Sequence, residues 1–257
     1  MFRYGEIHKR RGEFKVKPWL GALEPVRITE GVYFVGTYQA SCHIIDTGDG
    51  LIMIDPGYTA TAHIVVNSIY KLGFSPYDIK YIINSHWHGD HTEATAALAY
   101  LSGAKTIIGR DDAEKAEKYF TPDILVDDGD TLTLGNVTVT FLHTPGHTKG
   151  TISPFFNVTD GGKTYRVGMF GGAGLNTLHL GKFDFEGARE AYRASVTRLK
   201  EEHVDVFIGN HAWNNDTYGK AQRVLAGEKD AFVDPELWCQ FLDGLIENLD
   251  NLIEQGL

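Results

Sequence analysis

From Ser85 to His91 the chain reads Ser-His-Trp-His-Gly-Asp-His, placing three imidazoles and a carboxylate within six residues. These side chains bind divalent cations. Neutral imidazole is the commonest protein ligand of zinc, and carboxylate oxygen is a second. On extended backbone His86 and His88 point the same way, by the two-residue period. The chain then bends at Gly89, so Asp90 and His91 can aim at a second point nearby. One short loop thereby offers two ligands to each of two adjacent ions. A single structural zinc is the weaker reading, because structural sites usually close with cysteine and none is near in sequence. Two more histidines complete the candidate set. His147 lies in Thr144-Pro145-Gly146-His147-Thr148 and His211 in Gly209-Asn210-His211-Ala212-Trp213. Each follows the end of a strand-like run, where α/β sites commonly form.

The elements that must carry these residues alternate along the chain. Val26–Gly36 reads as two strands around a Gly turn. Cys42–Asp55 reads as a hairpin turning at Asp46-Thr47-Gly48-Asp49-Gly50, which has the residues tight turns require. A helix follows over Ala60–Leu72, stopped by Gly73. Lys80–Asn84 is a short buried strand, with the histidine motif directly behind it and a helix over Thr92–Leu101. Lys105–Gly109 is a strand and Asp111–Tyr119 a helix. Strands then recur at Leu132–Leu134, Val137–Leu142, Thr151–Phe156 and Arg166–Phe170. Helices over Glu186–Glu202 and Asp216–Leu225 flank a strand at Val204–Ile208. In Pro235–Leu252, Trp238, Phe241, Leu242, Leu245, Leu249 and Leu252 recur at helical spacing and read as a core-facing stripe. Residues 1–25 are mixed and polar, with Trp19 and Leu20 as anchors. Both halves run β-rich first and helical later. The layered solution to that pattern is an αββα four-layer sandwich of the α+β class: two mixed β-sheets face to face, helices on the outer faces. No linker of low complexity interrupts it, so residues 1–257 read as one domain.

Composition bounds the partners. The formal net charge of −10 disfavours a nucleic-acid substrate. The one basic cluster, His8-Lys9-Arg10-Arg11, reads as solvated surface. Cys42 and Cys239 cannot make a disulfide framework and read as small buried hydrophobes. No window is apolar enough for a membrane span. The opening Met1–Glu6 lacks an apolar signal core, which points to the cytoplasm. Oligomeric state is left open.

The motifs Leu51-Ile-Met-Ile-Asp55-Pro-Gly57, His86-x-His88-x-Asp90-His91, Pro145-Gly146-His147-Thr148 and Gly209-Asn210-His211 resemble those of the metallo-β-lactamase fold superfamily, over about Val26 to Val224. The resemblance implies a dinuclear zinc hydrolase. By position, His86, His88 and His147 hold the first ion, and Asp90, His91 and His211 the second. Asp55 braces the metal loop from behind, since ligating imidazoles need an acceptor for their other nitrogen. Thioesterases, lactonases and tRNA-processing nucleases of this fold carry a metal-bridging aspartate near Met169–Asn176. Here Gly172 and Ala173 stand there, and Asp184 is too far along. That absence looks most like the third, all-histidine-plus-aspartate subclass of metallo-β-lactamases, although Thr177 stands where its members tend to have proline.

The implied reaction uses water acidified by two cations to attack the carbonyl of an amide, lactone or ester, with Asp90 orienting the nucleophile's proton. A pair lacking the bridging carboxylate is more electropositive, which predicts a weaker second site and a cleft that favours anionic substrates. Asn176, His179, Asn214 and Tyr218 are candidate hydrogen-bond donors to a small-molecule substrate, and Lys182 a candidate partner for its carboxylate. His8, His43, His63, His143 and His203 read as structural. The alternatives are a glyoxalase II-like thioesterase and an iron-dependent, sulfur dioxygenase-like redox enzyme, which would use fewer ligands. The segment Trp213–Tyr218, polar and aromatic, has no matched role.

Overall fold

A computed structural model describes residues 4–257; Met1–Arg3, part of the opening read as lacking a signal core, lie outside the described residues. The first sheet is built from β1 (Val26–Thr29), β2 (Val32–Phe34), β3 (His43–Asp46), β4 (Leu51–Ile54), β5 (Ile79–Ile83), β6 (Lys105–Gly109) and β7 (Ile124–Val126), in that spatial order. Strands β1 to β4 pair antiparallel and β4 to β7 parallel. The second sheet has the order β12-β11-β10-β9-β8, from β8 (Thr131–Leu134), β9 (Val137–His143), β10 (Ile152–Asp160), β11 (Lys163–Gly168) and β12 (Val206–Phe207). Only its β11–β12 pair is parallel. Both sheets are therefore mixed, as the sequence implies.

The period-2 rule decides the layering. Along β4, Ile52 and Ile54 enter the core between the sheets, where Val139, Phe141 and Phe156 come from the opposite side. The alternate residues Leu51 and Met53 face outward, against Val65 and Ile69 of α3 (Ala62–Lys71) and Leu98 of α5 (Thr95–Ser102). The second sheet does the same, with Phe155 and Phe207 packing outward against Tyr192, Val196, Leu199, Trp238 and Leu242. The helices are α1 (Tyr4–Lys9), α2 (Arg11–Val16), α3 (Ala62–Lys71), α4 (Gly89–Thr92), α5 (Thr95–Ser102), α6 (Ala113–Ala116), α7 (Ala188–Leu199), α8 (Thr217–Leu225) and α9 (Pro235–Glu254). Among the described residues no helix is long and apolar enough to cross a membrane.

Several local expectations shift. The helix expected over Thr92–Leu101 breaks into α4 and α5. The Thr92 hydroxyl donates back to the Trp87 and His88 carbonyls, and the Ala94 amide leaves the helical ladder to reach the Gly57 carbonyl. Of Asp111–Tyr119 only α6 is α-helical. The strand at Val204–Ile208 shortens to two paired residues. The N-terminal anchors are Ile7 and Phe14, which are fully buried; Trp19 is 44% exposed, and Leu20 is half-buried against the core. Cys42 is buried as expected, but Cys239 is exposed, on the outer side of α9. Within the basic cluster, Arg10 pairs with Glu13, and Arg11, although exposed, holds its guanidinium carbon 3.6 Å from the Trp213 ring centroid.

Candidate metal centre

Strands β4 and β5 run parallel, so both end at the same sheet edge, and Asp55 and Ser85 emerge side by side. The Asp55 amide donates to the Ile83 carbonyl at 2.9 Å. Asp55 has φ +51°, a left-handed conformation that costs an L-residue about 1 kcal/mol or more. That backbone turns its fully buried carboxylate under the histidine loop. There it accepts from the Ser85 amide (2.7 Å), the Ser85 hydroxyl (2.7 Å) and His91 Nδ1 (2.8 Å). The expected brace is thus present as a contact to one of the candidate ligands.

Two donor groups assemble above it. His86, His88 and His147 each offer one nitrogen, all within 4.8 Å of one another, and Asp90, His91 and His211 do the same. In the first group His88 Nδ1 and His147 Nε2 are 2.9 Å apart. Two nitrogens of a tetrahedral zinc are separated by about 3.3 Å, given bonds of about 2.0 Å. In the second, Asp90 Oδ2 lies 3.6 Å from His91 Nε2 and 4.0 Å from His211 Nε2. The two groups adjoin, with the His86 and His91 ring centroids 4.3 Å apart.

The nitrogens facing away are held by the protein. His86 Nδ1 is 3.0 Å from the Ser85 hydroxyl. His147 Nδ1 donates to the Gly174 carbonyl at 2.7 Å, and His211 Nδ1 to the Gln39 carbonyl at 2.6 Å. Such outer partners fix the tautomer and leave the opposite nitrogen's lone pair for a cation. Electrostatics agree. Burial pushes His86 and His147 well below the ordinary imidazole range, aided by their imidazole neighbours. Burial likewise lowers His88 and His211 to about 4. His91 is the exception: burial lowers it too, but Asp90 and Asp55 outweigh that and raise it. Asp90 is held low against its own burial by His91 and His211. The lowered imidazoles and the lowered carboxylate favour the unprotonated forms that cation binding requires, with His91 the exception. The donor set therefore fits divalent metal.

The second-tier candidates separate. Asn214 buttresses His211, its side-chain oxygen accepting from the His211 amide at 2.9 Å. Asn176 is exposed beside Gly174, and His179 is half-buried on the same loop. Tyr218 lies in the core between the sheets rather than on an open surface. Lys182 is exposed. Thr177, the departure from proline, donates its hydroxyl to the His147 carbonyl at 2.7 Å.

Two carboxylates were missed. Asp112 is fully buried and accepts from the Trp87 amide (3.1 Å), the Thr148 hydroxyl (2.6 Å) and the Gly150 amide (2.7 Å). It ties the loop of His86 and His88 to the loop of His147. Asp184, rejected as a bridging ligand, accepts from Trp87 Nε1 and the Lys149 amide and pairs with Lys115. Their only sequence signal is an acidic residue after a buried strand or in a loop, which names no partner.

The model of the metallo-beta-lactamase superfamily matches residues 35–211, and the chain belongs to that superfamily. The histidine–aspartate groups give this member of the superfamily a donor set for metal. The hydroxyacylglutathione hydrolase of Hyphomonas neptunium is 36% identical over 123 residues, 48% of this chain and 44% of that protein. The cytoplasmic one of Arabidopsis thaliana is 34% identical over 119 residues, 46% and 43% of the respective chains. In both, the match spans less than half of the relative. Solved structures align over nearly the whole chain. BJP-1, a subclass B3 metallo-beta-lactamase of Bradyrhizobium japonicum, superposes with TM-score 0.86 and 29% identity over 94% of this chain and 97% of that one. The metallo-beta-lactamase GOB-18 of Elizabethkingia meningoseptica gives 0.82 and 29%, over 93% and 95%.

Proposed function

We propose that the protein is a dinuclear zinc hydrolase, acting as one domain, that opens the carbonyl bond of a small amide, lactone or ester. The observation that carries this reading is the pair of adjoining three-residue donor groups, one all imidazole and the other with Asp90 as its only carboxylate. When bound, the ions would acidify water toward neutral pH and polarise the substrate carbonyl.

The chain's own residues do the rest. Asp90, ionised and beside both His91 and His211, accepts the proton of the attacking water and can return it to the leaving atom. Asp55 and the Gly174 and Gln39 carbonyls keep the imidazoles from rotating. Asn214 and Thr177 hold the backbone of His211 and His147. Asn176 and His179, on the loop beside the first group, are the candidate contacts to substrate.

An amide is favoured over a thioester by the whole-chain likeness to B3 enzymes and by Gly172 and Ala173 in place of the bridging aspartate that thioesterases and lactonases of this fold carry. The thioester reading rests on relatives matched over less than half their length. Metal analysis followed by a panel of nitrocefin, lactones and thioesters tests the assignment. Two zinc per chain and turnover of nitrocefin are expected. Stoichiometric iron without zinc would overturn it in favour of the redox alternative. Asp90→Asn should lower kcat by about 10²- to 10⁴-fold while the first zinc equivalent still binds.

A further inference from the structure

Two stretches singled out in the sequence have no part in the function above: the basic cluster at residues 8–11 and the aromatic segment opening at Trp213. The structure brings them together at the second donor group. The Trp213 indole stacks face to face on the His211 imidazole, with centroids 4.3 Å apart and planes 8° from parallel. The Arg11 guanidinium carbon lies 3.6 Å from the Trp213 ring centroid. Among the described residues Arg11 has no ion-pair partner, so the indole is the contact that places it. Trp213 also meets Tyr38 at 5.7 Å, and Tyr38 packs on the buried Phe14 of α2.

We propose that Arg11 and Trp213 are positioning residues for His211, so that docking of the N-terminal helices sets the affinity of the second metal site. The argument is geometric and rests on the dinuclear reading. Hydrogen bonding of Nδ1 to the Gln39 carbonyl fixes one corner of the His211 ring but leaves the ring free to swing about that bond. A swing carries Nε2 away from Asp90. A flat indole against the ring face removes that freedom, and the guanidinium cation 3.6 Å from the indole centroid holds the indole in place. The first donor group has no such dependence, because His86, His88 and His147 sit on loops tied by Asp112, Ser85 and Gly174.

The sign of the Arg11 effect separates this clamp from simple charge. A guanidinium near a cation site repels the cation, so removing it on charge grounds alone tightens the site. Loss of the clamp loosens it. The experiment is a zinc titration of the full chain against a chromophoric chelator, with cobalt(II) spectra read in parallel. Trp213→Leu should weaken the second equivalent by roughly five- to tenfold and Arg11→Gln by about two- to fivefold. The first equivalent should stay within about twofold, and the cobalt bands of the second site should change shape. Trp213→Phe should recover most of the loss. An unchanged or tighter second equivalent in Arg11→Gln, or an unchanged one in Trp213→Leu, overturns the proposal, as does equal weakening of both equivalents. Wild-type protein that takes up only one ion overturns the dinuclear reading, and the clamp with it.

Discussion

Asp112 shows how much of a site can rest on a residue that binds nothing itself. Burial lifts its pKa to about 6, against the lowering effect of its hydrogen bonds from Thr148, Gly150 and Trp87. A carboxyl raised from its unfolded value holds its proton more tightly in the folded state. Its contribution to stability is present below about pH 4 and lost as pH rises through 6. In Asp112→Asn that segment of the pH profile should flatten. Relative to the variant, wild type should lose up to about 3 kcal/mol between pH 4 and 6, measured by urea unfolding across that range. A difference between the two proteins that does not vary with pH would contradict the assignment. The same scale shows what sequence can and cannot reveal. His86, His88, Asp90 and His91 were legible because their spacing alone implies a shared target. Asp112 was not, because its partners Trp87 and Thr148 lie 25 and 36 residues away. Neither was the contact of Arg11 with Trp213, which joins the N-terminal helices to the loop after β12.

Element by element, the longer strands and helices were readable from period, whereas short elements such as β7, α4 and α6 were not. β6 falls where Lys105–Gly109 predicts it, and α9 runs over Pro235–Glu254 with Trp238, Leu242, Leu245, Leu249 and Leu252 buried along one face. Trp238 is fully buried, and its indole donates to the Leu199 carbonyl at 3.0 Å. Trp238→Ala should cost about 3–5 kcal/mol, seen as a lower unfolding midpoint with the zinc stoichiometry unchanged. α4 and α6 span one turn each, and α4 gives way where the Ala94 amide turns to the distant Gly57 carbonyl, a contact no local period records. The loop before His147 is likewise set by tertiary contact. Gly146 has φ +148°, and a Cβ there would stand 2.5 Å from the Tyr192 backbone of α7. Gly146→Ala should displace His147, so that the first zinc equivalent weakens by tenfold or more while α7 stays folded by circular dichroism. An unaltered zinc affinity would mean that the loop has slack the geometry denies.

At the level of the molecule, the layering and the two mixed sheets followed from alternation within strands and from the order of strands and helices. The seam between the sheets was beyond that reach. His86, His88, Asp90 and His91 hang from the edge of the first sheet, whereas His147 and His211 follow strands of the second. Each donor group therefore draws on both sheets, and each bound ion would act as a cross-link between them. Because the ion binds the folded chain and not the unfolded one, such a link stabilises by mass action, about 4 kcal/mol at a thousandfold excess over Kd. Stripping metal should lower the thermal midpoint. It should also speed amide exchange first at the strand ends that carry the ligands, well before the apolar layer beneath them opens.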